Sequence, residues 1–195
     1  MDTTEADALD RVDMERLVAG QDAALNSLME RHATAVFHFL CRMLGSEDDA
    51  SDLAQEAFAR VYRSRESYKS QHRFSTWLFT IAANLARSQL RWRSRHPTVS
   101  IDSEQGASDQ SLASTLPTNA PSPHEATAAV ERHDAVRKAV RSLPEDLREA
   151  IVLCEWEDMA VAEAAAVLQT TPKAIESRLY RARGLLRSQL SGLLE

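Results

Sequence analysis

Apolar residues recur at helical spacing along most of the chain, and the intervals between them mark out a series of amphipathic helices. Asp13 to Ala19 reads as a short helix ending at Gly20, a natural C-cap, and residues 1 to 12 before it are expected to be disordered. Leu25, Leu28, Val36, Phe39 and Met43 hold one face between residues 21 and 44, and Gly45 closes that segment. Ser46-Glu-Asp-Asp49 then gives a capping side chain and three acids at the positive end of a helix dipole. The helix it starts runs to about Ser64 and buries Ala50, Leu53, Ala57, Phe58 and Val61. After a polar, basic loop (RESYKSQHRFS, 65–75), Trp77, Leu78, Ile81 and Leu85 define a long helix from Thr76 to about Arg95.

Beyond Arg95 the pattern breaks. Residues 96–124 are rich in Ser, Thr, Asp, Pro and Ala and hold little that could form a core, so they read as a flexible acidic linker. Helical spacing resumes near Glu125 (Val130, Val136, Val140), and Leu143-Pro144-Glu145-Asp146 opens a further helix carrying Leu147, Ile151 and Cys154. The expected fold is therefore all-α. It consists of two small helical domains, 13–95 and 125–195, joined by the linker.

The last two helices carry the clearest chemistry. Val161 to Leu168 is a short apolar helix, Gln169-Thr170-Thr171 is a turn of helix-turn-helix length, and Pro172 to Leu190 follows as a second helix. Thr171 can cap it and Pro172 suits its first position. Ile175, Leu179, Ala182 and Leu186 form its inward stripe, which leaves Lys173, Ser177, Tyr180, Arg181 and Gly184 on the opposite face, flanked by Arg178 and Arg183. From 172 to 190 there are five Lys or Arg against one acid. In a helix-turn-helix such a face enters the major groove, base edges meeting its N-terminal half and cations neutralising phosphates. The competing reading is an amphipathic helix with a solvated basic face. Gln169 stands where a positive φ is expected and Gly is usual, at a cost of about 1 kcal/mol. Ala160 cannot cap the preceding helix with its side chain, which typically costs about 1 kcal/mol.

Charge modifies this picture. The net charge of the 195 residues is -6, unusual for a nucleic-acid binder, but it is unevenly spread. Residues 1 to 31 carry eight acids and three Arg, whereas Arg73 to Arg95 carry five Arg and no acid. Two basic elements in an acidic chain imply weak binding alone and firm binding when something else holds the protein in place. The aromatic loop with Tyr68 and Phe74, beside a helix presenting Asn84, Arg87, Arg91 and Trp92, suits unpaired nucleic acid: rings stack on extruded bases while cations follow phosphates. Phe74 and Trp77 as ordinary core residues is the plainer alternative. On the helix after Ser46, Asp52, Gln55, Glu56 and Arg60, with Asp49 at the edge, form either a solvated face or an acid-rich docking surface.

Other classes find little support. No apolar run approaches the roughly 18 residues of a membrane span, and the acidic N-terminus is unlike a signal peptide, so a cytoplasmic protein is expected. No Gly-rich phosphate loop, H-E-x-x-H or nucleophile elbow appears, so neither an enzyme nor a cofactor is expected. Cys41 and Cys154 read as buried free thiols. His32, His38 and Cys41 do not gather on one helix face, and no metal site is expected.

Two sets of strings, taken in order, resemble the extracytoplasmic function (group 4) sigma factors of bacterial RNA polymerase. In the first domain they are Asp49-Ala-Ser-Asp-Leu-Ala-Gln-Glu-Ala-Phe58 and Phe74-Ser-Thr-Trp-Leu-Phe-Thr-Ile-Ala-Ala-Asn84, which look like regions 2.2 and 2.3. In the second they are Leu143-Pro144-Glu145 and Ile175-Glu-Ser-Arg-Leu-Tyr-Arg-Ala-Arg183, which look like region 4. The resemblance implies that Asp49, Asp52, Leu53, Gln55 and Glu56 dock on the polymerase core. It implies that Tyr68, Lys69, Arg73, Phe74, Asn84, Arg87 and Arg91 capture a flipped base at the minus-10 element, and that Thr171, Lys173, Ser177, Arg178 and Arg181 read the minus-35 element. Promoter DNA and an anti-sigma factor are then the further partners. Asp158-Met-Ala-Val161 departs from the commoner Gly-Leu-Ser-Tyr type of sequence at the start of the helix-turn-helix. A free-standing helix-turn-helix regulator would leave Arg73 to Arg95 without a task, and a decoy for an anti-sigma factor would not need Arg91, Arg178 or Arg181.

Overall fold

The computed structural model describes residues 3–96 and 123–191. They form eight α-helices: α1 (Thr3–Val18), α2 (Ala24–Leu44), α3 (Glu47–Arg63), α4 (Phe74–Arg95), α5 (Pro123–Ser142), α6 (Glu145–Glu155), α7 (Val161–Val167) and α8 (Pro172–Leu190). A single 3-10 turn, Arg65–Ser67, follows α3, and no strand occurs among the described residues. The expected linker, 96–124, lies outside the described residues except at its two ends.

The N-terminus corrects the sequence reading. Instead of disorder to residue 12, helix α1 begins at Thr3 and packs on α2. Two of its acids are tertiary partners, not solvated charges: Asp10 and Asp13 are buried, Arg31 Nε donates to Asp10 at 2.8 Å, and Arg31 Nη2 donates to Asp13 at 2.6 Å. His32 Nε2 lies 2.7 Å from the other Asp10 oxygen. Burying two carboxylates is tolerable only because a guanidinium and an imidazole meet them, and removing one partner of such a set costs roughly 3–5 kcal/mol. Those partners are 18 to 22 residues away, beyond any local pattern.

The remaining boundaries follow from local chemistry. Ser46, in extended geometry, caps α3 by accepting the Asp49 N–H at 3.3 Å. Gly45 ends α2 at φ 70°, with its N–H on Cys41 O at 2.8 Å. A side chain there would be strained and would also collide with the Arg141 guanidinium of α5. Helix α4 starts at Phe74, two residues before the expected Thr76, because the Phe74 ring is inserted in the core and fixes the chain there.

In the first four helices the core is built from Leu28, Phe39, Leu40, Met43, Leu78 and Phe79, with the Phe39 and Phe79 rings edge to face at 5.4 Å. In the last four, Leu147, Leu153, Ile175 and Leu179 are equally buried, as is Leu143 between α5 and α6. The two clusters are continuous, because α4 packs against α7, and α2 against α5 and α6. The N-terminal and C-terminal helices thus pack on one another.

Candidate nucleic-acid interface

The helix-turn-helix forms as the residues dictate. Gln169 adopts φ 52°, the left-handed geometry expected of the turn. Thr171, extended, accepts the Ala174 N–H on Oγ1 at 3.2 Å, and Pro172 opens α8. Ala160 indeed gives α7 no side-chain cap, yet the start of that helix is secured from inside: the Ala160 N–H donates to Glu163 Oε2 at 3.0 Å. Burial of Ile175, Leu179 and Ala182 then leaves Lys173, Ser177 and Arg181 together on the exposed side of α8. Arg178 is half-buried, its Nε 3.6 Å from Asp146 of α6, and Arg181 lies 3.9 Å from the same carboxylate. Tyr180, 82% exposed, stands in the middle of this face. The resemblance implied no role for it, although the helical spacing already put it there.

On α4, Asn84 and Arg91 are exposed and Arg87 lies between them, half-buried. Arg87 Nη1 donates to Asn84 Oδ1 at 3.0 Å, and its Nε donates to Glu149 of α6 at 2.5 Å. Arg91 Nη2 reaches only its own helix, at Ser88 Oγ, 3.2 Å. In the loop before α4, Lys69 is exposed and Tyr68 half-buried, its hydroxyl donating to His72 O at 2.9 Å. Arg73 is tied between acids of two other helices, Asp7 of α1 at 2.7 Å and Glu163 of α7, and these two carboxylates hold its guanidinium above its usual range. Phe74 corrects the expectation of a stacking ring. It is 1% exposed, packed against His32, Tyr68 and Trp77, and offers no face to a base.

Trp92, 47% exposed, reaches the surface near the end of α4, stacked on His96, and nearer the loop Trp77 is half-buried beside Tyr68 at 5.3 Å between ring centres. With Arg60, Arg63, Ser64, Ile81 and Asn84 it lines a shallow groove of about 290 Å³ between α3 and α4. Arg63 and Ile81 were not among the expected site residues, and Arg60 was expected on the acidic face of α3. Their alignment with Asn84 depends on how α3 crosses α4, which spacing within one helix does not reveal.

The acidic face of α3 divides in two. Asp52 and Gln55 are exposed and Leu53 is half-buried, whereas Asp49 is turned inward to α4, accepting from Gln89 Nε2 at 3.0 Å and pairing with Arg93. Glu56 accepts from Arg60 at 2.8 Å and Arg63 at 2.7 Å, and the Arg60 bond leads in holding its carboxyl below the usual range.

Comparison with known proteins agrees with this layout. Residues 28–96 match the family Sigma-70 region 2, and residues 133–186 match Sigma-70, region 4. The chain is 32% identical to the ECF RNA polymerase sigma-E factor of Escherichia coli (strain K12), over 95% of this chain and 96% of that protein. It is 31% identical to the RNA polymerase sigma-H factor of Pseudomonas aeruginosa, over 93% of each. Among solved structures it resembles CnrH, determined in complex with the cytosolic domain of CnrY, with a TM-score of 0.71 at 26% identity, covering 94% of this chain and 98% of that one. Both sets of helices are accounted for in these matches, in the same order and at nearly full length. The chain therefore belongs to the extracytoplasmic function sigma factors, transcription factors that direct RNA polymerase to promoters to initiate transcription.

Proposed function

We propose that this sigma factor, a member of the minimal group 4, divides promoter recognition between its two ends and works in the cytoplasm. The α8 face with Lys173, Ser177, Arg178 and Arg181, entered through Thr171, reads the minus-35 element in the major groove. Asn84, Arg87 and Arg91 of α4, with Tyr68, Lys69 and Arg73 before it, engage the minus-10 strand. A displaced base fits the adjoining groove, where Trp77 supplies an aromatic wall and Asn84 a polar edge. Asp52, Gln55 and Glu56, with Leu53 beneath them and Asp49 bracing α3 on α4, form the surface for the polymerase core. An anti-sigma factor is the expected inhibitor, in keeping with the complex in which CnrH was solved.

The observation that carries this reading is the open cationic face of α8. Lys173, Ser177 and Arg181 share one exposed side of a capped second helix whose opposite side is buried at Ile175, Leu179 and Ala182. The test is reconstitution with core polymerase and transcription from a genomic library, comparing wild type with Arg87→Ala, Arg178→Ala and Asp52→Arg/Glu56→Arg. Arg178→Ala loses minus-35 discrimination, Arg87→Ala slows promoter opening, and the double charge reversal loses co-purification with core while keeping its helical circular dichroism. Tight, selective duplex binding by the free chain, with no response to polymerase, would overturn the assignment.

A further inference from the structure

Helix α8 carries one acid among its five bases, and that acid, Glu176, stands on the open side of the helix. It follows the fully buried Ile175, so its side chain leaves the helix about 100° from the packed stripe. Lys173 is three residues before it and Tyr180 four after, and all three are exposed. The other acids beside α8 are engaged: Asp146 faces Arg178 and Arg181, and Glu155 accepts from Arg183 at 2.5 Å. Among the described residues, the Glu176 carboxylate meets no hydrogen-bond donor and no cation.

An acid on a solvated helix ordinarily opposes the positive end of the helix dipole in the first turn, or pairs with a base four residues on. Glu176 does neither. The first turn of α8 holds no acid, and Glu176 lies beyond it, where the pull of the dipole has faded. Position 180 is Tyr, and Lys173 precedes Glu176, the weaker order for an ion pair. Beside Lys173, which draws phosphates in, an unpaired carboxylate opposes binding wherever it meets the DNA backbone. It is favourable only over a donor on a base edge, since an ionised carboxylate can only accept. In the major groove the donors are the amino groups of cytosine and adenine. Adenine sets the acceptor N7 next to its amino group, which repels a carboxylate, and cytosine is left.

We propose that Glu176 is a specificity-determining residue of the minus-35 contact, accepting a hydrogen bond from the N4 amino group of one cytosine. The inference rests on the minus-35 reading of α8 given above. Guanine and thymine present only acceptors or a methyl group at the same edge and meet the carboxylate with repulsion. Glu176 therefore acts more by rejecting the wrong base than by adding affinity for the right one. The cations around it hold any duplex, and the single acid among them decides which duplex is held well.

The test uses polymerase holoenzyme reconstituted with wild type, Glu176→Ala, Glu176→Gln or Arg178→Ala, transcribing a template library randomised across the minus-35 element. Sequenced transcripts, each barcoded to its template, give the base preference at every position. Wild type is expected to favour cytosine about tenfold at one position of one strand. Glu176→Ala flattens that position alone and raises use of the other templates, because a repulsive charge is gone. Glu176→Gln moves the same position toward adenine, whose N6 and N7 suit a side-chain amide. Glu176 is exposed, so both variants keep the helical circular dichroism of wild type. A wild type without a cytosine preference, or preferences that neither Glu176 variant alters, would overturn the proposal. Arg178→Ala separates the two levels of the argument. If it changes the minus-35 preferences while the Glu176 variants do not, only the cytosine assignment falls; if it too leaves every preference intact, α8 is not the reading helix and both fall.

Discussion

Helices α8 and α4 carry the same excess of positive charge in sequence, five bases against one acid and four against none, yet the cations assigned to DNA end in different electrostatic states. On α8, Lys173 and Arg181 stand in solvent, with half-buried Asp146 3.9 Å from Arg181, and only the flanking Arg183 is held closely by an acid, Glu155, at 2.5 Å. On and before α4, Arg87 and Arg73 are already matched by Glu149, Asp7 and Glu163. A cationic run is therefore a statement about supply, not availability. Local charge identifies a surface that could bind phosphate, and tertiary contacts decide whether it is free to do so.

The contrast breaks most severely if the buried side of α8 is damaged. Ile175 is fully buried, so Ile175→Ala removes its packing and leaves a cavity, destabilising the fold by roughly 2–5 kcal/mol. The expected result is loss of minus-35 recognition with every cation of the face still present, read by urea unfolding alongside promoter binding of the polymerase complex. Recognition retained despite that loss of stability would mean that the open face does not depend on its apolar underside.

The closed side has a pH signature. Glu157 is buried next to Arg42, and burial, against the opposing pull of Arg42, pushes its carboxyl up to about 7, with Asp158 adding to the rise. Below the unfolded value, near 4.5, both states hold the proton and the group costs nothing. As pH rises from there to about 7 the unfolded chain ionises first, so stability is lost through that window, by up to about 3 kcal/mol. Glu149 is also raised, burial outweighing Arg87, and acts in the same direction. Glu56, lowered by Arg60, opposes it, but it is exposed and its effect is small. Urea unfolding of wild type is expected to show lower stability at pH 7.5 than at pH 5, and Glu157→Gln to flatten the difference. An equal pH dependence in the variant would remove Glu157 as its source.

Much of this is legible in the sequence. The helix series, the Ser46 and Thr171 caps, the Gly45 stop, the positive φ at Gln169 and the outward face of α8 all follow from interactions within a few residues of one another. What was missed involves long separations. Phe74 stood open between a stacking ring and a core residue, and Asp10 was placed in a disordered end, because a ring or an acid in a polar string carries no mark of its partner, and those partners, His32 for both and Arg31 for Asp10, sit on α2. The Arg73 and Arg87 pairings span 90 and 62 residues, across chain that contributes nothing to their local pattern. The groove at Trp77 likewise needs the crossing of α3 and α4, which neither helix encodes alone.

On the open side, single contacts should show their own worth. Arg178→Ala removes a half-buried guanidinium that Asp146 steadies at 3.6 Å, and is expected to weaken minus-35 recognition by about 1–3 kcal/mol. Because α8 is uncovered, this loss should be the same fraction in a Glu149→Gln/Glu163→Gln background, measured by run-off transcription. A loss that depended on that background would couple the two surfaces and dissolve the contrast between them.

The smallest effect lies in the turn that delivers α8. Gln169 holds φ 52°, and relieving that left-handed strain with glycine is worth about 1 kcal/mol, less the larger backbone entropy that glycine gives the unfolded chain. Gln169→Gly should therefore raise the unfolding midpoint slightly and leave minus-35 recognition unchanged. The Gln169 side chain is exposed, and its backbone N–H already bonds Ala166 O at 3.3 Å, so glycine removes no contact that positions the helix. A midpoint that falls would mean the side chain contributes more to the turn than its geometry costs. Altered promoter choice at unchanged stability would extend the DNA-reading surface from α8 back into the turn itself.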